Sequence, residues 1–309
     1  MNVRRSGSSQ EVPLSLTGLD RLPPAPRRRA LAVVEWLGNL QALPQVVQRA
    51  LACIQDSRSS STELAAIIAT DQAISARLLG MANSVYGRGV RPFVSVHEAV
   101  VRLGYRNVQN VLLSLSATRF LEEALPLYEV RPGELWQHSV ATATGARVLA
   151  ARRRLPQGSA SYVAGLLHDA GRSALDRGLT AAEKSAIRGA VTYSRLGFQK
   201  AEYEVLGFSH AEVGAALLHR WGLSEEIVRA IARHHQPSLA PEDALSAITH
   251  GADVLALLAL PIRRPGWLYA IEPTVASYLG LSADEHAIPE VLKEIEVGLQ
   301  SAERLIGRG

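Results

Sequence analysis

His138, His168, Asp169, His210, His234, His235 and Asp253 are the residues of this chain whose types and spacing could do chemistry. Imidazole and carboxylate are the ligand types of zinc, iron, manganese and nickel. The set centres on Val163-Ala-Gly-Leu-Leu-His168-Asp169-Ala-Gly171-Arg172, where an apolar run reads as a buried helical turn and a His-Asp pair follows directly. Polar groups that close to an apolar run need partners or a metal, because burying them unpaired costs roughly 2–7 kcal/mol each. The spacing differs from a zinc-finger pattern. The ligands would have to converge from separate helices, as in di-metal helical sites. A lone histidine on an apolar helix is more often a hydrogen-bonded core or surface residue. Seven such residues, flanked by small or apolar neighbours, are predicted to form a metal-capable cluster.

The elements that must position them are helical throughout. Residues 1 to about 25 are polar and Pro-rich without periodicity and read as a loose arm. Arg27-Arg28-Arg29 reads as a solvated start to a helix over Ala30–Leu40 rather than an anion site. From Pro44, Val46, Val47, Ala50, Leu51 and Ile54 share one apolar face. Ser60-x-x-Glu63, Asp71 and Ser95-x-x-Glu98 start the next helices, and Gly104 ends the third of these. Val108, Val111, Leu112, Leu115 and Phe120 continue the pattern. A turn at Glu129–Gly133 is the first boundary. After it come helices bearing His138, His168-Asp169, His210 (after a Thr180-x-x-Glu183 start), His234-His235 (after a Ser224 cap) and Asp253. A basic loop over Pro261–Gly266 and a last amphipathic helix from about Ser282-x-x-Glu285 complete the chain. No run alternates with period 2. The fold expected is all-α, with two packed helical bundles.

The totals exclude several classes. The 309 residues allow one or two domains, and 47% hydrophobic with 20% charged residues is ordinary for a globular protein. No apolar run approaches the ~18 residues of a membrane span, and the N-terminus lacks a signal peptide's apolar stretch. The single Cys53 reads as core, and the cytoplasm is the default compartment. The net charge of +4 permits an acidic partner without demanding one. His235 also fits a cap on the helix end before Pro237, and His250, three residues before Asp253, fits a support for a ligand as well as a ligand. His97, His219 and His286 read as surface residues, and Trp136 and Trp221 as core aromatics.

The order His138, His168-Asp169, Asp253 resembles that of HD-domain phosphohydrolases. His210-x-x-x-Gly214 and His234-His235 resemble the second-metal ligands of the HD-GYP branch, the cyclic-di-GMP phosphodiesterases. The closest resemblance is to the HDOD domain, the HD-related output domain of bacterial signalling proteins. It is carried by Leu43-Pro-Gln-Val-Val47, Asp71-Gln-Ala-Ile-Ser-Ala-Arg-Leu-Leu79, Ala82-Asn83-Ser84 and Ala99-Val-Val-Arg-Leu-Gly104. Trp136-Gln-His-Ser139, Ala164-Gly-Leu-Leu-His-Asp169, His210-Ala-Glu-Val-Gly214 and His234-His-Gln-Pro237 extend it. Two departures from the HD-GYP pattern matter. Arg172 stands where that branch has a lysine, with a different geometry toward phosphate. Gln236-Pro237-Ser-Leu replaces its Gly-Tyr-Pro loop.

The resemblance, which covers about residues 40–260, together with the composition of the two ends implies a flexible basic, Pro-rich arm at 1–28, an N-terminal helical subdomain at 29–130, an HD-like subdomain at 131–262 and a helical extension at 263–309. It implies a non-catalytic signalling module, with a divalent transition metal (Fe, Mn, Zn or Ni) in a mononuclear or dinuclear centre. The partners expected are other signalling proteins and a nucleotide ligand, with neither membrane nor nucleic acid. The alternative is a metal-dependent phosphohydrolase of HD-GYP type acting on a cyclic dinucleotide. There Asp169 would bridge two metals, His138, His168 and Asp253 would complete one site, His210, His234 and His235 the other, and Arg172 would face the phosphate.

Overall fold

The computed structural model describes residues 17–40, 44–86, 91–155, 158–237, 243–261, 266–267, 270–282 and 286–305. The first bundle holds α2 (Gln45–Gln55), α3 (Ser61–Ala69), α4 (Gln72–Tyr86), α5 (Val96–Leu103) and α6 (Tyr105–Leu121), and α1 (Pro24–Leu40) precedes it in the chain. Side-chain caps set the starts that the sequence marks. Ser60 Oγ accepts from Glu63 N at 3.1 Å, Ser95 Oγ from Glu98 N at 3.1 Å, and Asp71 Oδ1 from Ile74 N at 2.9 Å. Such caps satisfy backbone donors that have no partner inside the helix. The first core gathers Val47, Leu64, Ile68, Leu78 and Leu112, with Cys53 buried at its margin.

The second bundle comprises α7 (Glu134–Arg152), α8 (Gly158–Leu167), α9 (Ala170–Gly178), α10 (Ala181–Tyr193), α11 (Phe198–Leu206), α12 (His210–Arg220), α13 (Glu225–Arg233) and α14 (Ala244–Ala259). A short α15 (Pro273–Tyr278) and α16 (Ala287–Leu305) follow. Thr180–Glu183 and Ser209–Glu212 form reciprocal capping boxes at α10 and α12. Ser224 stands at the predicted N-cap of α13, but its hydroxyl makes no capping bond. α7 is the central helix, packed by α8, α14 and α16. α6 belongs to both cores: Val108, Val111 and Leu112 face the first, Leu113, Phe120 and Leu121 the second.

All the described elements are helices, and the extended pairing among them is the isolated bridge Leu125–Val130. No single helix among the described residues is long and apolar enough to cross a membrane.

Two ends of the chain differ from the sequence-based expectation. Residues 17–28 do not hang loose. Leu19 is fully buried, and α1 starts at Pro24 rather than Ala30. Ala30, Val33 and Val34 of α1 pack into the second core, and Arg29 makes a two-pronged pair with Glu183 at 2.9 and 3.1 Å. The apolar face of α1 is thus buried against α9 and α12, away from the first bundle. At the other end, Val291 and Ile295 of α16 are buried against α7 and α14, so this helix is part of the second bundle's core. Residues 1–16, most of the basic loop and residues 283–285 of the Ser282-x-x-Glu285 start lie outside the described residues.

Candidate metal centre

Two close helix crossings, both made at glycines, help bring the seven residues together. Gly165 of α8 sits against α7, where an added Cβ would lie 2.8 Å from Ala143 Cα. Gly171 of α9 meets Gly214 of α12, and an added Cβ at Gly171 would fall 1.9 Å from the His210 carbonyl oxygen. These contacts place His138 of α7 beside His168, and Asp169 beside His210. Asp169 occupies the N-cap of α9 but makes no capping bond, so its carboxylate is free to face the cluster. His234 is the C-cap of α13, and Asp253 faces in from α14.

The seven fall into two groups: His138, His168 and Asp253, and Asp169, His210, His234 and His235. Asp169 lies between them. Its Oδ2 is 3.3 Å from His168 Nε2 and 3.8 Å from His138 Nε2. Its Oδ1 is 3.3 Å from His210 Nε2 and 3.9 Å from His234 Nε2. His138 Nε2 lies 3.0 Å from Asp253 Oδ1 and 3.2 Å from His168 Nε2, and His210 Nε2 lies 2.9 Å from His235 Nε2. Six of the seven are buried and His235 is partly so.

Outer hydrogen bonds decide which ring nitrogens face the centre. His168 Nδ1 donates to the Gly165 carbonyl at 2.8 Å, and His234 Nδ1 to the Ile231 carbonyl at 2.7 Å. His210 Nδ1 donates to Glu202 Oε2 at 2.7 Å. With the proton held at Nδ1, each Nε2 turns a lone pair inward, as metal-bound histidines require. Lone pairs and carboxylate oxygens therefore converge with few donors among them. His234 Nε2 is buried without a hydrogen bond, a loss of about 1–3 kcal/mol unless a cation sits there, while Asp169 meets the Arg172 guanidinium on Oδ1 and turns Oδ2 to His168 and His138. The donor set fits a divalent transition metal.

The electrostatics prepare part of the set. Burial opposes the charge on Asp169, but Arg172 and His168 hold its carboxyl well below the usual range. Asp253 is lowered likewise, against burial, by His138 and His168. Burial also works against a charged His168, yet the two aspartates push it up to about 10. Burial, with His168 and His210 beside it, takes His234 down to about 3. The aspartates are held ionised and His234 neutral, the forms that ligate metal, whereas His168 carries an Nε2 proton that a metal would have to displace.

Arg172 is buried, with Nε 2.8 Å from Asp169 Oδ1. Its guanidinium lies 4.3 Å from the ring centre of Trp267 and 5.2 Å from that of Tyr128. Trp267 also sits edge-on to His138 at 5.3 Å. His250 is not among the converging residues. Its Nδ1 donates to the His234 carbonyl at 2.8 Å and its Nε2 accepts from Glu272 N at 3.2 Å, so it braces a ligand-bearing turn. His235 does not merely end a helix, since its ring meets His210.

Sequence reasoning missed Glu202 and Tyr128. Both are fully buried, and Tyr128 Oη donates to Glu202 Oε1 at 2.7 Å while Glu202 Oε2 holds His210 through both N and Nδ1. A signal existed: Glu202 falls on the apolar stripe of Phe198, Ala201 and Leu206, where a charge needs a reason.

The model of the HDOD domain family matches residues 40–237. The chain belongs to the HDOD family. An uncharacterized protein of Treponema pallidum is 27% identical over 226 residues, 69% of this HDOD chain. The chain spans 41% of that relative's length. Among solved structures, an HDOD domain protein of unknown function from Geobacter sulfurreducens is 26% identical, with a TM-score of 0.59 over 87% of this chain and 97% of that one. A candidate signal-transduction protein from Marinobacter aquaeolei shares the fold, with a TM-score of 0.65 at 23% identity over 96% of this chain and 67% of that one. The match ends at Pro237, so Asp253, Trp267 and α16 complete the HD-like half beyond the matched segment.

Proposed function

We propose that this HDOD protein is a cytoplasmic regulatory output module of bacterial signal transduction, without hydrolase activity, acting on other signalling proteins. Its HD-like half holds a divalent transition-metal centre. His138, His168 and Asp253 would hold one ion, His210, His234 and His235 a second, and Asp169 would face both.

The observation that carries this reading is the closure of the site. The side chains of His138, His168, Asp169, His210 and His234 are wholly buried, and Arg172 is 3% exposed. Arg172, the residue that would meet a phosphate, is turned onto Asp169 and flanked by Tyr128 and Trp267. A substrate must reach ~3 Å from the reacting groups, and among the described residues these groups present almost no accessible surface to one. A closed ion braces helices and senses metal or redox state rather than turning over.

A second reading has a specific observation in its favour. Arg172 Nη1 is buried without a partner, and the two Asp169 oxygens address different ligand groups. Both suit a phosphohydrolase, where a metal supplies acidification of water toward a pKa of ~7. The test is turnover of bis-p-nitrophenyl phosphate and cyclic-di-GMP by the full chain loaded with Mn or Fe. The module reading expects none with metal in place. Turnover that Asp169→Asn abolishes would establish the hydrolase.

A further inference from the structure

α12 begins at His210 and α13 ends one residue before His234, so the two helices form a hairpin whose open end is the candidate metal centre. Its closed end, Trp221 to Ser224, rests on α6. The Trp221 ring stacks on Phe120 with centroids 5.5 Å apart, and Gln109 Nε2 donates to the Gly222 carbonyl at 2.7 Å. Arg106 pairs with Glu226 at 3.1 Å, an exposed contact of little weight.

A second arm reaches the same place. Ser173, the residue after Arg172 on α9, donates its hydroxyl to the Phe120 carbonyl at 3.1 Å. Phe120 is thus held by its ring from the hairpin that carries His210 and His234, and by its carbonyl from the helix that Asp169 begins. From Phe120, α6 runs back into the first core through Leu115, Leu112, Val111 and Val108.

We infer that α6 reads out the state of the metal centre, with Phe120 as the point where the two arms converge. The inference rests on the metal-centre reading above. At the open end the Asp169 carboxylate and the His210, His234 and His235 nitrogens face one another across 2.9–3.9 Å. Without an ion these groups are held by shared protons and by Arg172 on Asp169; an ion would replace those contacts with bonds of its own length, so the separation of α9 from the hairpin depends on whether the centre is filled. α12 and α13 are rods of about 17 and 14 Å, and a shift at one end must appear at the other. Coupling needs an element whose equilibrium both sites bias, and α6, built into two cores, is placed to be one. By linkage, loosening the Phe120 contacts must change metal affinity by the same factor by which metal changes α6.

The experiment is hydrogen exchange of the full chain with and without Mn, with metal content measured on the same samples. Amides of residues 105–121 are expected to exchange more slowly on loading, by roughly 5-fold or more. Gln109→Ala with Ser173→Ala, both outside the ligand cluster, should shrink that difference below about 2-fold and weaken Mn binding in parallel. Trp221→Leu tests the stacking arm, and the polar double variant keeps the test valid if that one does not fold. Metal bound with α6 exchange unchanged overturns this inference and leaves the metal centre standing. No metal bound overturns both.

Discussion

In the first bundle the buried side chains of Val47, Leu64, Ile68, Leu78 and Leu112 meet one another. The buried hydroxyls on its last helix, Ser114 and Ser116, return to carbonyls one turn back at 2.7 and 2.9 Å. In the second bundle the buried set includes His138, His168, Asp169, Glu202, His210, His234 and Asp253, whose polar atoms face each other across helices. The first is held by area removed from water, which is non-directional. The second adds a demand for particular atoms at particular distances, met through backbone contacts at Gly165 and Gly171. Mutation in the first core should therefore lower stability without dismantling the site geometry, reaching it only as far as α6 transmits the change.

The widest separation is expected from Leu64→Ala, which opens a cavity in the first core. It should lower unfolding free energy by about 2–5 kcal/mol while leaving metal content unchanged, measured by urea titration and elemental analysis. A parallel loss of metal would show that the site geometry itself rests on the first core's packing. Gly171→Ala strikes the second bundle. Its Cβ would fall 1.9 Å from the His210 carbonyl, so a loss of about 3 kcal/mol is expected, together with loss of metal. Retention of metal would mean that α9 and α12 can part without opening the site.

Glu202→Gln sharpens the comparison, because it spares packing volume and removes the negative charge on His210 Nδ1. Metal affinity should fall about 10–100-fold with the fold intact, read by competition with a chelator. The smallest effect belongs to Arg29–Glu183, at the edge of the second bundle. The Arg29 hydrogen bond brings the Glu183 carboxyl down to about 2, against some burial. A depressed folded-state value means that the stabilisation is complete above the unfolded value, near ~4.3, and fades as pH falls from there through 2. The pair is partly exposed, with side chains 35% and 24% accessible. Glu183→Gln should thus lower stability at pH 7 by less than ~1 kcal/mol, with the difference disappearing near pH 2 in an acid titration.

The helical plan was legible because its starts are chemical: Ser60, Asp71, Ser95 and Thr180 make the capping bonds their positions call for. The clustering of these side chains was legible through residue type. His and Asp beside small or apolar neighbours are costly unless used, and all seven converge. Partner choice was not legible. Nothing local in α1 says that Val33 packs on the second bundle rather than the first, since an apolar stripe fits either core. Tyr128 gave no signal, because a tyrosine after Pro-Leu at a turn is ordinary. Its role appears once the fold sets its hydroxyl against Glu202, 74 residues on.

The central claim is that the second bundle's buried histidines and aspartates hold metal. Elemental analysis of protein purified without added metal tests it most directly, with Asp169→Asn alongside. The account expects about one to two equivalents of Fe, Mn, Zn or Ni in the parent chain and less than about a tenth of one in the variant. Less than about a tenth of an equivalent in the parent chain itself would contradict it.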